Sequence, residues 1–242
     1  MNGVAAALSA AVRYLFHPAV LGVLFVPMLL SIALWIGLAW WFWDSWTGLI
    51  REGLVAAADG WWVGHYDVAT FAGVVAVLLL VLLIAPAILV TAMLTAAVFA
   101  MPVLVEVVAR RDFPGLERRK GGTAIGSGWN AFAALAAFLI LWIATLPAWL
   151  VAGPLAAPLP WLLSAYLNQR LFRYDALSEH ADSGEMSRIF EARFGGLFVL
   201  GLVTGALYFV PLVNMVAPTF AALAYVHFCL AELQRLRQGA RS

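Results

Sequence analysis

The sequence predicts an all-α integral membrane protein, and three observations carry that prediction. Hydrophobic residues make up 64% of the 242-residue chain and charged residues only 11%, against about 25% charged in an average soluble domain. Four long stretches contain no Asp, Glu, Lys or Arg. The cations gather between those stretches instead of spreading along the chain. A soluble domain of this size needs a polar skin, and lipid is the solvent that accepts the surplus of apolar surface.

The four apolar blocks are 14–43, 68–105, 121–169 and 194–231, with 30, 38, 49 and 38 residues. About 20 helical residues cross a roughly 30 Å hydrocarbon core. The first block is therefore one crossing. It ends in Trp40, Trp41, Phe42 and Trp43, unlike the small residues of a signal-peptide cleavage site, so it reads as a retained helix. Trp35, Trp46, Trp61 and Trp62 extend this cluster into an aromatic belt at one membrane face. Residues 47–60 are predicted to form a short helix lying on that outer surface. The second block also crosses once. At about 1.5 Å per residue it overshoots the membrane, which predicts a tilt, a kink at Pro86 and a continuation toward Pro102. Its Thr91, Ala92, Thr95, Ala96, Ala97 and Ala100 either form a close helix–helix contact or simply fill space.

Orientation follows from Lys and Arg. Between the first two blocks Arg51 is the single cation, beside Asp44, Glu52, Asp59 and Asp67. The other 13 of the 14 cations lie in segments that can share one side. Loops rich in Lys and Arg stay in the cytoplasm, which puts 44–67 outside and both termini inside. Blocks three and four then begin and end on the cytoplasmic side, so each crosses twice or dips in and returns. The third turns around Gly153–Pro160. The fourth turns around Pro211–Pro218 and leaves roughly 16 residues per arm, marginal for a crossing. That shortness points to a re-entrant hairpin, whose turn must be buried in protein or face water. The chain reads as a single polytopic membrane domain over 1–242. It has two long transmembrane helices, two helical hairpins (re-entrant or short double crossings) and short cytoplasmic helices.

Chemistry-bearing residues are sparse. Cys229 is the one cysteine, which excludes an internal disulfide and a cysteine-based zinc site. His17, His65, His180 and His227 show no metal-ligand spacing. No nucleophile elbow and no acidic pair inside an apolar block appear, so no enzyme, metal or cofactor is expected. Ionisable groups inside the membrane usually flag proton coupling, and the blocks contain none. The basic loop 106–128 carries Arg118, Arg119 and Lys120, then Gly121, Gly122, Gly126 and Gly128. It lacks the phosphate-loop pattern. Its glycines either loosen the chain leading into block three or form a backbone anion nest. In the loop 170–193, Arg170 and Arg173 precede Asp182 and Glu185, which have the spacing of a helix cap and its third residue. Arg188 and Glu191 are spaced to pair on that short helix. Asn214 stands out in block four. Pro218 could open a helix N-terminus toward it, a geometry that suits an anion; the alternative is that Asn214 only caps the turn.

The stretch Val210-Pro-Leu-Val-Asn-Met-Val-Ala-Pro218, the loop motif Leu171-Phe-Arg-Tyr-Asp175 with Met186-Ser-Arg188, and the run from His17-Pro18 to Pro27-Met-Leu-Leu30 resemble the CysZ sulfate-permease family and its wider relatives, the etoposide-induced-protein family. The resemblance covers nearly the whole chain. It implies two long transmembrane helices, two hemi-penetrating helical hairpins, a dimeric or larger assembly, and sulfate uptake for cysteine synthesis. One departure is plain. Where CysZ proteins carry a Gly-Leu-Arg-type anion motif, this chain has Ala19-Val20-Leu21-Gly22, with no cation between Arg13 and Arg51. An oxyanion favours an arginine there.

The sequence therefore points to a permease- or channel-like protein of the bacterial inner membrane, with sulfate or another small anion as cargo. The lipid bilayer and further copies of the chain are its partners; nucleic acid is not. Pro211, Asn214 and Pro218 are the candidate anion path. Arg118, Arg119, Lys120, Arg170 and Arg173 are the candidate cytoplasmic contacts. The competing reading is a non-transporting scaffold that binds a partner through the basic loops.

Overall fold

The computed structural model describes residues 2–58 and 68–240. Among these residues eight α-helices follow in order: α1 (Asn2–Leu15), α2 (Pro18–Ala58), α3 (Val68–Asp112), α4 (Ala124–Ala152), α5 (Pro158–Leu177), α6 (Ser183–Ala192), α7 (Phe194–Ala206) and α8 (Ala217–Gly239). The described residues contain no strand. The fold is thus all-helical, as the composition predicts. Among the described residues three helices, where two were expected, contain a window long and apolar enough to cross a membrane: α2, α3 over Thr70–Ala92, and α4 over Ile125–Ala148; α6 with the stretch to Phe209, bent by 74°, makes a fourth if the pair is one broken span. Only 17%, 11% and 6% of those windows is buried within the protein. So much exposed aliphatic and aromatic surface is stable only against lipid, and the chain is a multi-pass membrane protein.

Chain contacts define two compact units, Met1–Val23 with Phe99–Ser242, and Leu24–Val98. In the smaller unit α2 and α3 are joined by hydroxyl and indole groups. Ser31 Oγ donates to the Ile88 carbonyl at 2.7 Å, and Trp35 Nε1 donates to Thr91 Oγ1 at 3.1 Å. Thr91 thus belongs to a helix–helix contact, the first of the two readings of that stretch. The helix α3 runs unbroken past Pro86 and Pro102. The surface helix expected over 47–60 is instead the last three turns of α2. No proline interrupts that stretch, and Thr47 Oγ1 bonds back to the Trp43 carbonyl at 2.7 Å, which keeps the helix going. Residues 59 and 60, with Trp61 and Trp62, lie outside the described residues.

The larger unit is built around α8. Every residue from Ala221 to Leu230 is buried, as expected of a helix enclosed on all sides. The helices α1, α5 and α7 pack against it. Close approach is set by small residues. A Cβ at Gly201 would lie 2.6 Å from the Ala165 carbonyl oxygen and 2.9 Å from the Tyr225 hydroxyl, and one at Gly196 would lie 2.8 Å from the Phe228 ring. Tyr225 Oη donates to the Leu197 carbonyl at 2.9 Å, which satisfies its one buried polar atom. Both expected turns are present. A short 3-10 turn over Gly153–Ala156 links α4 to α5, and two more over Leu207–Phe209 and Val213–Met215 link α7 to α8.

Candidate functional site

The hairpin tip between α7 and α8 holds the three sequence-predicted residues Pro211, Asn214 and Pro218. All are exposed. The Asn214 backbone N–H donates to the Val210 carbonyl at 3.1 Å. Pro218 lies in the first turn of α8, whose flanking Val216 provides no side-chain cap, so the first N–H groups of that helix meet no side-chain acceptor. Leu212 carries the turn with φ of 68°.

The basic candidates separate into two groups. Arg118 pairs with Glu106, which also pairs with Arg110. Arg119 Nη1 reaches Glu185 Oε1 at 3.0 Å and Asp182 Oδ2 at 3.2 Å. Lys120 adopts φ of 47° and its backbone N–H donates to the Glu179 carbonyl. These residues form part of a knot centred on Glu185. Arg237, near the end of α8, forks onto both Glu185 oxygens at 2.8 and 2.9 Å and donates to the carbonyls of His180 and Glu117. The expected cap of α6 is present: Glu185 N–H donates to Asp182 Oδ1, and Asp182 N–H donates to Glu185 Oε2. The Arg237 fork holds the Glu185 carboxyl below the usual carboxylate range. The Glu185 N–H does the same for Asp182. No Arg188–Glu191 ion pair forms.

The glycine run beside this knot is neither loose nor an anion nest. Gly121 N–H donates to the Ala181 carbonyl and Gly122 N–H to the Ser178 carbonyl, both at 2.9 Å. Donors spent on carbonyls cannot cradle an anion. A Cβ at Gly122 would sit 2.5 Å from Ser178 Cβ, so glycine is there to let two backbones touch.

Arg170 and Arg173 have a different setting. The stretch 170–177 is not loop but the last two turns of α5, because no helix breaker stands between Trp161 and Leu177. Tyr166, Gln169, Arg170 and Arg173 then share one helix face at spacings of three and four. That face lines an open groove of about 540 Å³, together with Ser187, Phe190 and Glu191 of α6 and Phe194 of α7. Arg170 Nη1 donates to Tyr166 Oη at 3.1 Å. Arg173 Nη1 donates to Gln169 Oε1 at 3.3 Å and its guanidinium lies 4.3 Å from the Phe190 ring centre. Asn130 on α4 donates to the Arg170 carbonyl at 2.9 Å and fixes the level of α4 beside it. Neither arginine pairs with a carboxylate among the described residues. Burial, and then the Arg170 charge, press Arg173 below the usual guanidinium value. Gln169 is 0% exposed, and its Nε2 and the buried Arg170 Nε find no acceptor.

The sequence reading named the two arginines and missed Tyr166, Gln169, Ser187 and Phe190. Placing the boundary at the first charge after Gln169 hid the helical spacing that joins them. No group of three or more His, Cys, Asp and Glu close enough to hold a metal occurs among the described residues.

The family described as Sulfate transporter CysZ/Etoposide-induced protein 2.4 matches residues 7–218. No curated protein and no solved structure matches the chain.

Proposed function

The chain belongs to the sulfate transporter CysZ/etoposide-induced protein 2.4 family, and from that premise we propose that it is a permease- or channel-like protein of the bacterial inner membrane that passes a small anion, sulfate foremost. The observation that carries the reading is the family match over residues 7–218 on a chain whose three long apolar helices face lipid. A non-enzymatic role fits that family. Both termini and the basic segments lie in the cytoplasm, the two units act as one polytopic domain, and the chain assembles as a dimer or larger oligomer.

Both hairpins are re-entrant in this reading. The arm α7 has 13 residues, about 20 Å against a core of roughly 30 Å. The apolar part of α5, Pro158 to Gln169, spans about 18 Å. A tip exposed on the far side would leave Arg170 in hydrocarbon, at a cost of about 2.5 kcal/mol or more. With the arginines at the cytoplasmic rim, both tips stop within the membrane. Pro211, Asn214 and Pro218 then sit on the anion path at depth, where Asn214 and the start of α8 offer donors.

The scaffold reading is the weaker one, since Arg118 and Arg119 are committed to internal ion pairs. The test is radiolabelled sulfate uptake into liposomes holding the purified chain. Uptake above empty liposomes that is lost in Asn214→Leu is expected. Uptake equal to empty liposomes sinks the transport reading, and a partner then cross-linked through 106–128 favours the scaffold.

A further inference from the structure

We propose that the cavity between α5 and α6 is a binding site for a doubly charged tetrahedral oxyanion, a sulfate or phosphate group, either free or carried on a lipid headgroup. Behind the groove wall two donors are unsatisfied. Arg170 Nε and Gln169 Nε2 are buried hydrogen-bond donors without acceptors, and such groups are rare because each forfeits its hydration. Gln169 has its Oε1 occupied by Arg173, which orients the amide so that the spare group is its NH₂. Tyr166 Oη accepts from Arg170 and keeps its own proton to donate. Ser187 adds a hydroxyl from α6. The groups that line the groove are guanidiniums and hydroxyls with protons to donate, with the two unsatisfied donors buried behind them, and this wall suits an anion and not a cation.

Charge points the same way. Two guanidiniums face one cavity without a carboxylate partner, and each bound anionic charge relieves their repulsion. The arginines are held ready: Phe190 lies under Arg173, and Tyr166 and Gln169 fix one end of each fork. The volume, about 540 Å³, admits an oxyanion with water or a headgroup. Glu191 lines the groove, is exposed and opposes an anion, which gives the proposal a variant of opposite sign.

The site deepens the transport reading and rests on it only for the direction in which cargo moves. The test uses the purified full chain in phosphatidylcholine nanodiscs, titrated with sulfate and with phosphate by calorimetry. Binding is expected in the unaltered chain. It weakens at least about tenfold in Arg170→Gln/Arg173→Gln, weakens severalfold in Gln169→Leu, and tightens in Glu191→Gln. Helical content and melting temperature show which variants fold, and the exposed Glu191→Gln keeps the test sharp if the double variant does not. A second arm uses nanodiscs containing phosphatidic acid. Binding of free sulfate in phosphatidylcholine discs assigns a free anion; retention of phosphatidic acid that depends on Arg170 and Arg173, with no free-anion binding, assigns a headgroup. No binding in either arm, or affinities unchanged in both the arginine and the Glu191 variants, overturns the site. Binding without sulfate flux defeats the transport reading alone. Flux with unchanged affinity in the arginine variant defeats this site alone.

Discussion

Glu185 shows how much one side chain holds in this protein. It caps α6 through the Asp182 N–H and receives both Arg119 and Arg237, so it ties the 106–128 connection, α6 and the end of α8 together. Replacing it by Gln keeps the shape and removes the charge. The fork from Arg237 is then left largely buried without its counter-ion, at a cost of about 2–3 kcal/mol. A lower melting temperature by circular dichroism in detergent is the expected outcome. The pH dependence has a definite sign. The Glu185 carboxyl is held below its ordinary value in the folded chain, so its contribution is full above the ordinary glutamate range and is lost as pH falls through the folded value. Melting temperature should drop in acid in the unaltered protein, and less steeply in Glu185→Gln. The glycines beside it separate by the same logic. Gly122→Ala places a Cβ against the Ser178 backbone and costs about 1–3 kcal/mol. Gly128→Ala, in the first turns of α4 with open space around it, is neutral or stabilises by about 0.5–1 kcal/mol. Equal effects from the two would mean that close backbone approach is not what glycine provides at 122. The cap of α6 was legible because a capping box is a local signal of two residue types at a fixed spacing. The role of Gly122 was not, because it depends on which backbone the fold presses against it.

At the scale of elements, the sequence predicted turns well and helix ends poorly. Prolines clustered with a glycine or with one another mark the turns at 153–160 and 211–218, where the helices end, whereas the isolated Pro27, Pro86, Pro102 and Pro147 are carried inside helices. Charge marks the end of an apolar block but does not stop a helix. That is why α5 runs seven residues past Arg170, α3 runs to Asp112, and α2 runs to Ala58. The cavity face of α5 straddles such a boundary, and half of it was unread for that reason. The hairpins give a direct test. Leu155 and Leu212 are 85% and 82% exposed at the two tips, so a cysteine at either position is sterically free to react. The native Cys229 is fully buried and supplies no competing thiol. Leu155→Cys and Leu212→Cys are expected to resist a membrane-impermeant maleimide added from outside intact cells. Labelling of Leu155→Cys at the rate of an outside loop would mean that α4 and α5 cross fully, and that Arg170 lies within the hydrocarbon.

For the whole molecule, the largest signal is the asymmetry of charge, since all but Arg51 of the Lys and Arg residues lie in segments assigned to one side. Retaining a cationic segment on the cytoplasmic side is favoured each time such a segment leaves the membrane, and the effect accumulates along the chain. The proposed arrangement, with α2 and α3 as the crossings and α4–α5 and α7–α8 as re-entrant hairpins entered from the cytoplasmic side, keeps all those segments inside at once. An inverted chain would export the Glu185 knot and both arginines of the cavity. The prediction is that a fluorescent protein fused after the C-terminus folds and fluoresces in the cytoplasm. A short epitope inserted after Leu49, where that side chain is exposed and which the proposed orientation puts outside, should be stained by antibody on spheroplasts without permeabilisation. Moving charge should move topology: Lys at positions 48, 49 and 54 adds three cations beside Arg51, and a mixed population with reduced epitope staining is expected. Full staining of an epitope fused after the C-terminus, on intact spheroplasts of the unaltered chain, would invert the assignment. The cavity of Arg170 and Arg173 would then receive its anion from outside the cell.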